Sequence, residues 1–299
     1  RSLSQVYVGA GKGATPSTSP ADLTVLLTYD GLTEAPVNAG SYEVVGTVSD
    51  ANYSGSVTNT LVITQAEAAV SLASLNQVYD GTGKAASAST IPADLTVLLT
   101  YDGLTEAPIN AGSYQVVGTV SDANYSGSVT NTLVITQAEA AISLANLTQV
   151  YDGTGKAASA TTVPADLAVV LTYDGLTEAP VNAGSYEVIA TVNEANYSGS
   201  ATNTLVITQA EAAVTLASLS QVYDGTGKAA TVSTVPADLT VLLTYDGSTD
   251  LPVNAGSYEV VGTVSEANYS GSMTNTLVIT QAEAAVALAS LSQVYDGTG

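Results

Sequence analysis

Cysteine, histidine, tryptophan and phenylalanine are all missing from this chain of 299 residues. Without cysteine no disulfide can form, and without cysteine or histidine the soft zinc and iron–sulfur sites have no ligands. A Ser–His–Asp catalytic set is excluded by the missing histidine. The lack of cysteine suits surface and cytosolic proteins alike and does not set the compartment. Basic residues are scarce: Arg1, Lys12, Lys84, Lys156 and Lys228 stand against 27 acidic side chains, a net charge of −22. A surface of that sign repels phosphate backbones and anionic headgroups, which argues against nucleic acid and anionic membranes as partners. It keeps copies soluble and apart, and it suits divalent cations or high salt. No apolar run approaches the roughly 18 residues of a membrane-spanning helix, and no signal peptide is visible. The chain starts in the middle of a repeat, so the missing signal says nothing about what precedes it.

What is present is repetition. The stretch Leu95-Thr-Val-Leu-Leu-Thr-Tyr-Asp-Gly103, with the Leu-Thr-Glu-Ala-Pro-Ile-Asn-Ala-Gly-Ser-Tyr114 that follows, occurs four times with small changes. Tyr29, Tyr101, Tyr173 and Tyr245 mark its period of 72 residues. A fixed period of this size is the sign of a tandem array. The units are expected at 1–65 (divergent, with a truncated first strand), 66–137, 138–209 and 210–281, with 282–299 the first strand of a fifth. A unit of about this size buries only about 60% of its unfolded surface and is marginal by itself.

In the second copy, residues 65–68 read as a linker and Val70, Leu72 and Tyr79 as parts of one opening strand. Asp80-Gly-Thr-Gly83 is a turn, residues 84–90 a weak strand of small residues, and Ile91-Pro-Ala-Asp94 a second turn. Leu95, Val97, Leu99 and Tyr101 then share one face, opposite Thr96 and Thr100. Tyr114, Val116, Gly118 and Val120 form the inward set of the next strand; Val129, Asn131, Leu133 and Ile135 that of the last. Short strands separated by turn signals, with no helical period, predict an all-β immunoglobulin-like sandwich, with a β-grasp unit as the alternative. A strand of about nine residues rises roughly 30 Å, so four units in line would make a rod on the order of 120 Å long.

The first copy departs from this pattern. Tyr7-Val-Gly-Ala-Gly-Lys12 replaces Tyr-Asp-Gly-Thr-Gly-Lys, and Pro16 and Pro20 interrupt its second strand, which can then be only an edge or irregular segment. At the other end Val286, Leu288 and Leu291 lie on an orphan strand. It reads either as the cut edge of a longer array or as a donor that completes the first copy of another chain.

The segments Val78-Tyr-Asp-Gly-Thr-Gly-Lys84, Pro108-Ile-Asn-Ala-Gly-Ser-Tyr114, Asp122-Ala-Asn-Tyr125 and Thr132-Leu-Val-Ile-Thr136 resemble the MBG/YDG-type repeat domains of large bacterial surface proteins. The likeness covers essentially the whole chain, once per unit. It implies a secreted or surface-anchored protein in which such repeats form stalks, often within adhesins, and it brings no catalytic residues.

Four tyrosines per unit could stack on sugar rings, but amphipathic tyrosine more often packs its ring inward while the hydroxyl meets a turn. Glu67 and Glu139 in the linkers, with Asp122, are the candidate calcium ligands, although no Asp-x-Asp-x-Asp loop is present and turn carboxylates are ordinarily solvated. Lys84, Lys156 and Lys228 pair in thought with Asn131, Asn203 and Asn275 as candidates for an autocatalytic isopeptide bond. Such a bond needs a desolvated lysine beside a buried carboxylate. Here the lysines, following a glycine turn, are expected to be exposed and the asparagines inward. Asn52, Asn124, Asn196 and Asn268 each head an Asn-Tyr-Ser glycosylation triplet. No other cofactor is implied, and nothing supports an enzyme. The reading is a structural stalk or fibre of a bacterial extracellular or cell-surface protein. The alternative is a multivalent module that binds a host glycan or another copy of itself.

Overall fold

The computed structural model describes residues 3–289 together with Tyr295 and Gly297. These residues form two compact units, one running to Glu139 and including Glu194–Ser198, the other Ala140–Asn193 with the residues from Gly199 onward. The protein is all-β, and no helix occurs among the described residues. None is therefore long and apolar enough to cross a membrane.

The second repeat, inside the first unit, shows the pattern that the third and fourth share; among the described residues the first has the four-stranded sheet alone. Its strands are β1 (Ala66–Glu67), β2 (Ala69–Ala73), β3 (Asn76–Val78), β4 (Ser87–Ile91), β5 (Val97–Tyr101), β6 (Gly112–Val120), β7 (Tyr125–Ser126) and β8 (Ser128–Thr136). β8 lies between β6, antiparallel to it, and β3, parallel to it, and β5 closes the other edge antiparallel to β6. The second layer is the hairpin of β2 and β4, with Val70 opposite Thr90 and Leu72 opposite Ala88. β1 stands apart and pairs in parallel with β7. This is an immunoglobulin-like sandwich rather than the β-grasp alternative, which needs a helix across its sheet.

Alternation decides what is buried, because successive side chains of a strand point to opposite faces. Tyr101, Val116, Leu133 and Ile135 form the floor of the core with Ala86, and Leu72 and Leu75 close it from above. Each repeat has a core built from its own residues, and those of the third and fourth repeats have this composition, while the cluster of the first has no leucines in the place of Leu72 and Leu75. The Asp102-Gly103 turn has positive φ at both positions, 46° and 85°, which glycine adopts freely and aspartate tolerates. Tyr101 and Leu104 exchange two backbone hydrogen bonds across it.

Two expectations need correction. The opening strand is not continuous: Ser74 takes a φ of 58°, and the chain crosses there from the hairpin layer to the four-stranded sheet. Gln77 holds the kink by donating from Nε2 to the carbonyls of Ser74 and Ala85, each at 2.9 Å. Residues 282–289, the described part of the expected first strand of a fifth unit, form no strand. A strand with no neighbour has nowhere to place its backbone hydrogen bonds. Val286 and Leu288 are exposed there, and Leu291 lies outside the described residues.

Candidate functional site

The residues that do the most specific work gather where one repeat meets the next. In the first unit the linker after β-strand Ser56–Thr64 does not hang free. Gln65 donates from Nε2 to the carbonyl of Asp122 at 2.9 Å. The amides of Ala66 and Ala68 donate to the carbonyls of Asn124 and Ser126. Asn124 then reaches back to the first repeat. Its Oδ1 accepts from the Ala39 amide at 2.8 Å, and its Nδ2 donates to Asn38 Oδ1 at 3.2 Å. The rings of Tyr7 and Tyr125 meet edge to face, with centroids 5.3 Å apart. That geometry suits the ring quadrupole and adds to simple burial.

The same set recurs. Asn196 accepts from Ala111 at 2.8 Å and Tyr197 meets Tyr79, all within the first unit. In the second unit Asn268 accepts from Ala183 at 2.8 Å, Gln209 donates to the carbonyl of Glu266 at 2.9 Å, and Tyr269 meets Tyr151. The Asn-Tyr-Ser triplets are thus hydrogen-bonding devices at three of their four positions. The fourth, Asn52-Tyr-Ser54, is exposed in the first repeat. A glycan on Asn124 Nδ2 would displace Asn38. Sequence reasoning missed this role although a signal was present. Ala-Asn-Tyr-Ser-Gly is unchanged in all four copies, while the two residues before it drift between Ser and Asn and between Asp and Glu.

The four tyrosines of the second repeat are committed to packing. Tyr101 is buried and its hydroxyl oxygen accepts from the Ala86 amide at 3.0 Å. Tyr114 donates from its hydroxyl to the Asn110 carbonyl at 2.9 Å. Tyr79 and Tyr125 serve the ring pairs described above.

The lysines and asparagines reverse the expectation. Lys84, Lys156 and Lys228 are largely covered, their side chains 11% exposed, because each folds back along its own turn. Nζ of Lys84 ion-pairs with Asp80 Oδ2, and Lys156 and Lys228 pair with Asp152 and Asp224 at 2.5 Å. Asn131, Asn203 and Asn275 are exposed rather than inward. Each lies on the core-facing row by register, beyond the reach of the narrower hairpin layer, and its Oδ1 accepts from the next amide, as Asn131 does from Thr132 at 2.8 Å. The structure does not bring these lysines and asparagines together.

Glu67 lies on β1 opposite Ser126, and Glu139 opposite Ser198, both exposed. Asp122 turns into its own loop and accepts from the amides of Asn124 and Tyr125 at 2.7 and 3.0 Å. Among the described residues no three acidic side chains group so as to hold a metal ion.

The Asp80 turn has an electrostatic consequence. The hydrogen bond from Lys84 holds the Asp80 carboxyl down at about 2, with the hydroxyl and amide of Thr82 acting in the same direction. Lys156 and Lys228 hold Asp152 and Asp224 lower still. A folded-state pKa below that of an unfolded aspartate stabilises fully above about pH 4, and the contribution is lost as pH falls through the folded value. We expect the melting temperature of the chain to exceed that of the D80N/D152N/D224N variant at neutral pH, with the gap closing between about pH 4 and pH 2. Comparing the two proteins cancels the repulsion among the remaining carboxylates, which acid also relieves. Thermal melts of both across pH make the check, and a gap independent of pH would remove the role assigned to these turns.

Comparison with known proteins follows the same lines. No curated protein matches the sequence. Among solved structures, the Sidekick-1 immunoglobulin domains 1-5 are similar over 94% of this chain and 79% of theirs, at 12% identity and a TM-score of 0.29. Drosophila N-cadherin EC1-4 is similar over 95% and 99%, at 10% identity and 0.26. The ICAM-5 D1-D4 ectodomain fragment is similar over 82% and 85%, at 12% identity and 0.33. The family model of the MBG domain matches four times in succession, at residues 1–67, 68–139, 140–211 and 212–283. The chain therefore belongs to the MBG domain family, as a tandem array of its repeats.

Proposed function

We propose that this chain is a spacer: a stalk segment of a bacterial extracellular or cell-surface protein, in which repeats add reach and rigidity and carry out no chemistry. The observation that carries the reading is the repeat-to-repeat contact. It combines a glutamine and an asparagine bonded to backbone with a pair of tyrosine rings, and it recurs at each 72-residue step, the asparagine bond at 2.8 Å and the ring centroids 5.3 Å apart each time. A linker fixed by backbone pairing and side-chain hydrogen bonds limits bending, which a flexible tether would not. The acidic surface keeps neighbouring stalks soluble and apart. Most of the tyrosines that might have stacked on sugars are spent on the core and on the ring pairs, with Tyr53, Tyr223 and Tyr295 the exposed exceptions, so the spacer reading is preferred to a glycan binder.

A deletion series tests it. Removing one, two or three repeats at the 72-residue period should shorten the maximum dimension measured by small-angle scattering in equal steps, each roughly 30 Å. Steps that shrink or vanish as repeats are added would mean that the repeats fold back on one another, and the spacer reading would fail.

A further inference from the structure

The edge strand β3 is only three residues long, yet it is held from several directions. Asn76, Gln77 and Val78 run parallel to β8, opposite Val134, Ile135 and Thr136. One backbone bond prolongs the ladder at each end. The Val134 amide donates to the Leu75 carbonyl at 2.8 Å, and the Tyr79 amide to the Thr136 carbonyl at 2.9 Å. Thr136 adds its hydroxyl, which donates to the Gln77 carbonyl at 3.3 Å. Gln77 ties the strand to a further segment, since its Nε2 donates to the Ala85 carbonyl beyond the Asp80 turn.

All four repeats carry this arrangement, the divergent first included. Gln5, Gln149 and Gln221 donate to the carbonyls of Gly13, Ala157 and Ala229 at 3.0, 2.9 and 2.8 Å. The hydroxyls of Thr64, Thr208 and Thr280 donate to the carbonyls of those glutamines. The amides of Tyr7, Tyr151 and Tyr223 donate to the carbonyls of the same threonines at 2.9 Å. The residue before the glutamine drifts, being Ser4, Asn76, Thr148 and Ser220, while the glutamine does not. What is kept is therefore the tie and not merely a polar edge.

The chain enters and leaves the repeat at opposite ends of this pair. Ala68 lies against Gly127, the residue before β8 begins, and the exit follows Thr136 at the far end of that nine-residue strand. The two points are separated by its length, roughly 30 Å. Because β3 and β8 are parallel, tension between entry and exit drives them lengthwise past one another. Their evenly spaced bonds lie across that pull, share it, and must fail together. A pull across the strands would instead open the same bonds singly from one end. β2 meets the tension first, and the break at Ser74 lets it slip from β4 while β3 still holds. We propose that the β3–β8 pair is a mechanical clamp, with Gln77 as its latch, that keeps the repeat folded while the chain is pulled. The inference rests on the spacer reading for the source of the tension, since a stalk is pulled through its linkers.

The test is single-molecule force spectroscopy on the 299-residue chain, which has no cysteine of its own and so accepts cysteine handles at chosen points. Glu67→Cys with Glu139→Cys pulls the second repeat along the chain. Asn76→Cys with Ser113→Cys pulls it across the sheet, since both lie in register with Val134, on β3 and β6. All four positions are exposed, so folding is untouched. Forced unfolding reads the barrier to unfolding and not the equilibrium stability, and at equal loading rate the force along the chain should be roughly twice that across the sheet or more. Gln77→Ala should lower the force along the chain. Thr132→Ala, on the exposed face of β8 opposite Gln115, should leave it unchanged. Equal forces in the two directions would overturn the clamp, and Q77A indistinguishable from T132A would strike out the latch. Neither outcome alters the scattering steps of the deletion series, so the clamp can fail while the spacer reading stands, and the reverse.

Discussion

Leu133→Ala is expected to give the chain an early thermal transition confined to the second repeat. Leu133 is fully buried at the centre of β8, between the rows of β6 and the hairpin layer. Truncating such a leucine removes its transfer free energy and leaves a cavity that packed neighbours fill only in part, a cost of about 2–5 kcal/mol. A repeat of this length holds roughly 4–11 kcal/mol if it follows the ordinary per-residue range, so the loss is a large share of what keeps it folded. The damage centres on the second repeat because each repeat has its own core cluster, and it reaches the next repeat only through Tyr79 and Ala111, which pack against this core and also meet Tyr197 and Asn196. Calorimetry should show the split, and hydrogen exchange should place the early opening in β6 and β8. Leu98→Ala, at a position 53% exposed, should shift melting by less than about 0.5 kcal/mol equivalent. A single transition moving as a whole would mean that the repeats unfold as one body.

The sheet that this leucine anchors was legible from alternation alone. Val116 and Val120, Leu133 and Ile135, and Tyr101 at the end of β5 all lie inward where period two places them. The family, too, was readable from residues, because Ala-Gly-Ser-Tyr and Asn-Tyr recur in a fixed order. Failures came where a side chain's fate depends on another layer or another repeat. Asn131 is on the inward row, but no local rule states how far the covering hairpin extends. Lys84 follows a glycine turn and looks solvated, yet Asp80 four residues earlier draws it back along the surface. The break at Ser74 has no proline or glycine to announce it. The contact between repeats left only an indirect signal, the unchanged Ala-Asn-Tyr-Ser-Gly, because its partners, Ala39 and Asn124, are separated by 85 residues and neither has a distinctive chemistry.

Gly127→Ala is the substitution expected to damage that contact most. A Cβ built at Gly127 falls on the carbonyl oxygen of Ala68, a backbone atom that cannot swing aside, and Gly199 and Gly271 face Ala140 and Ala212 in the same way. Only a residue without Cβ lets the linker lie flat against β7, so alanine must push β1 outward. With it go the hydrogen bond from the Ala68 amide to Ser126 and the placement of Asn124 against Ala39. Overpacking of this kind costs about 1–3 kcal/mol, occasionally more. For a domain of this size that is a fall in melting temperature on the order of 5–20 °C. Gly55 is the internal control. It holds the same place in the first repeat, where no linker covers it, and a Cβ there meets only a Val48 methyl at 4.0 Å. Gly55→Ala should therefore be close to neutral. Hydrogen exchange at the amides of Ala66 and Ala68 should quicken in G127A, while Val116 and Leu133 stay protected. If the two variants behaved alike, or if the core amides opened together with the linker, the close approach of the linker to Gly127 would not be what fixes one repeat on the next.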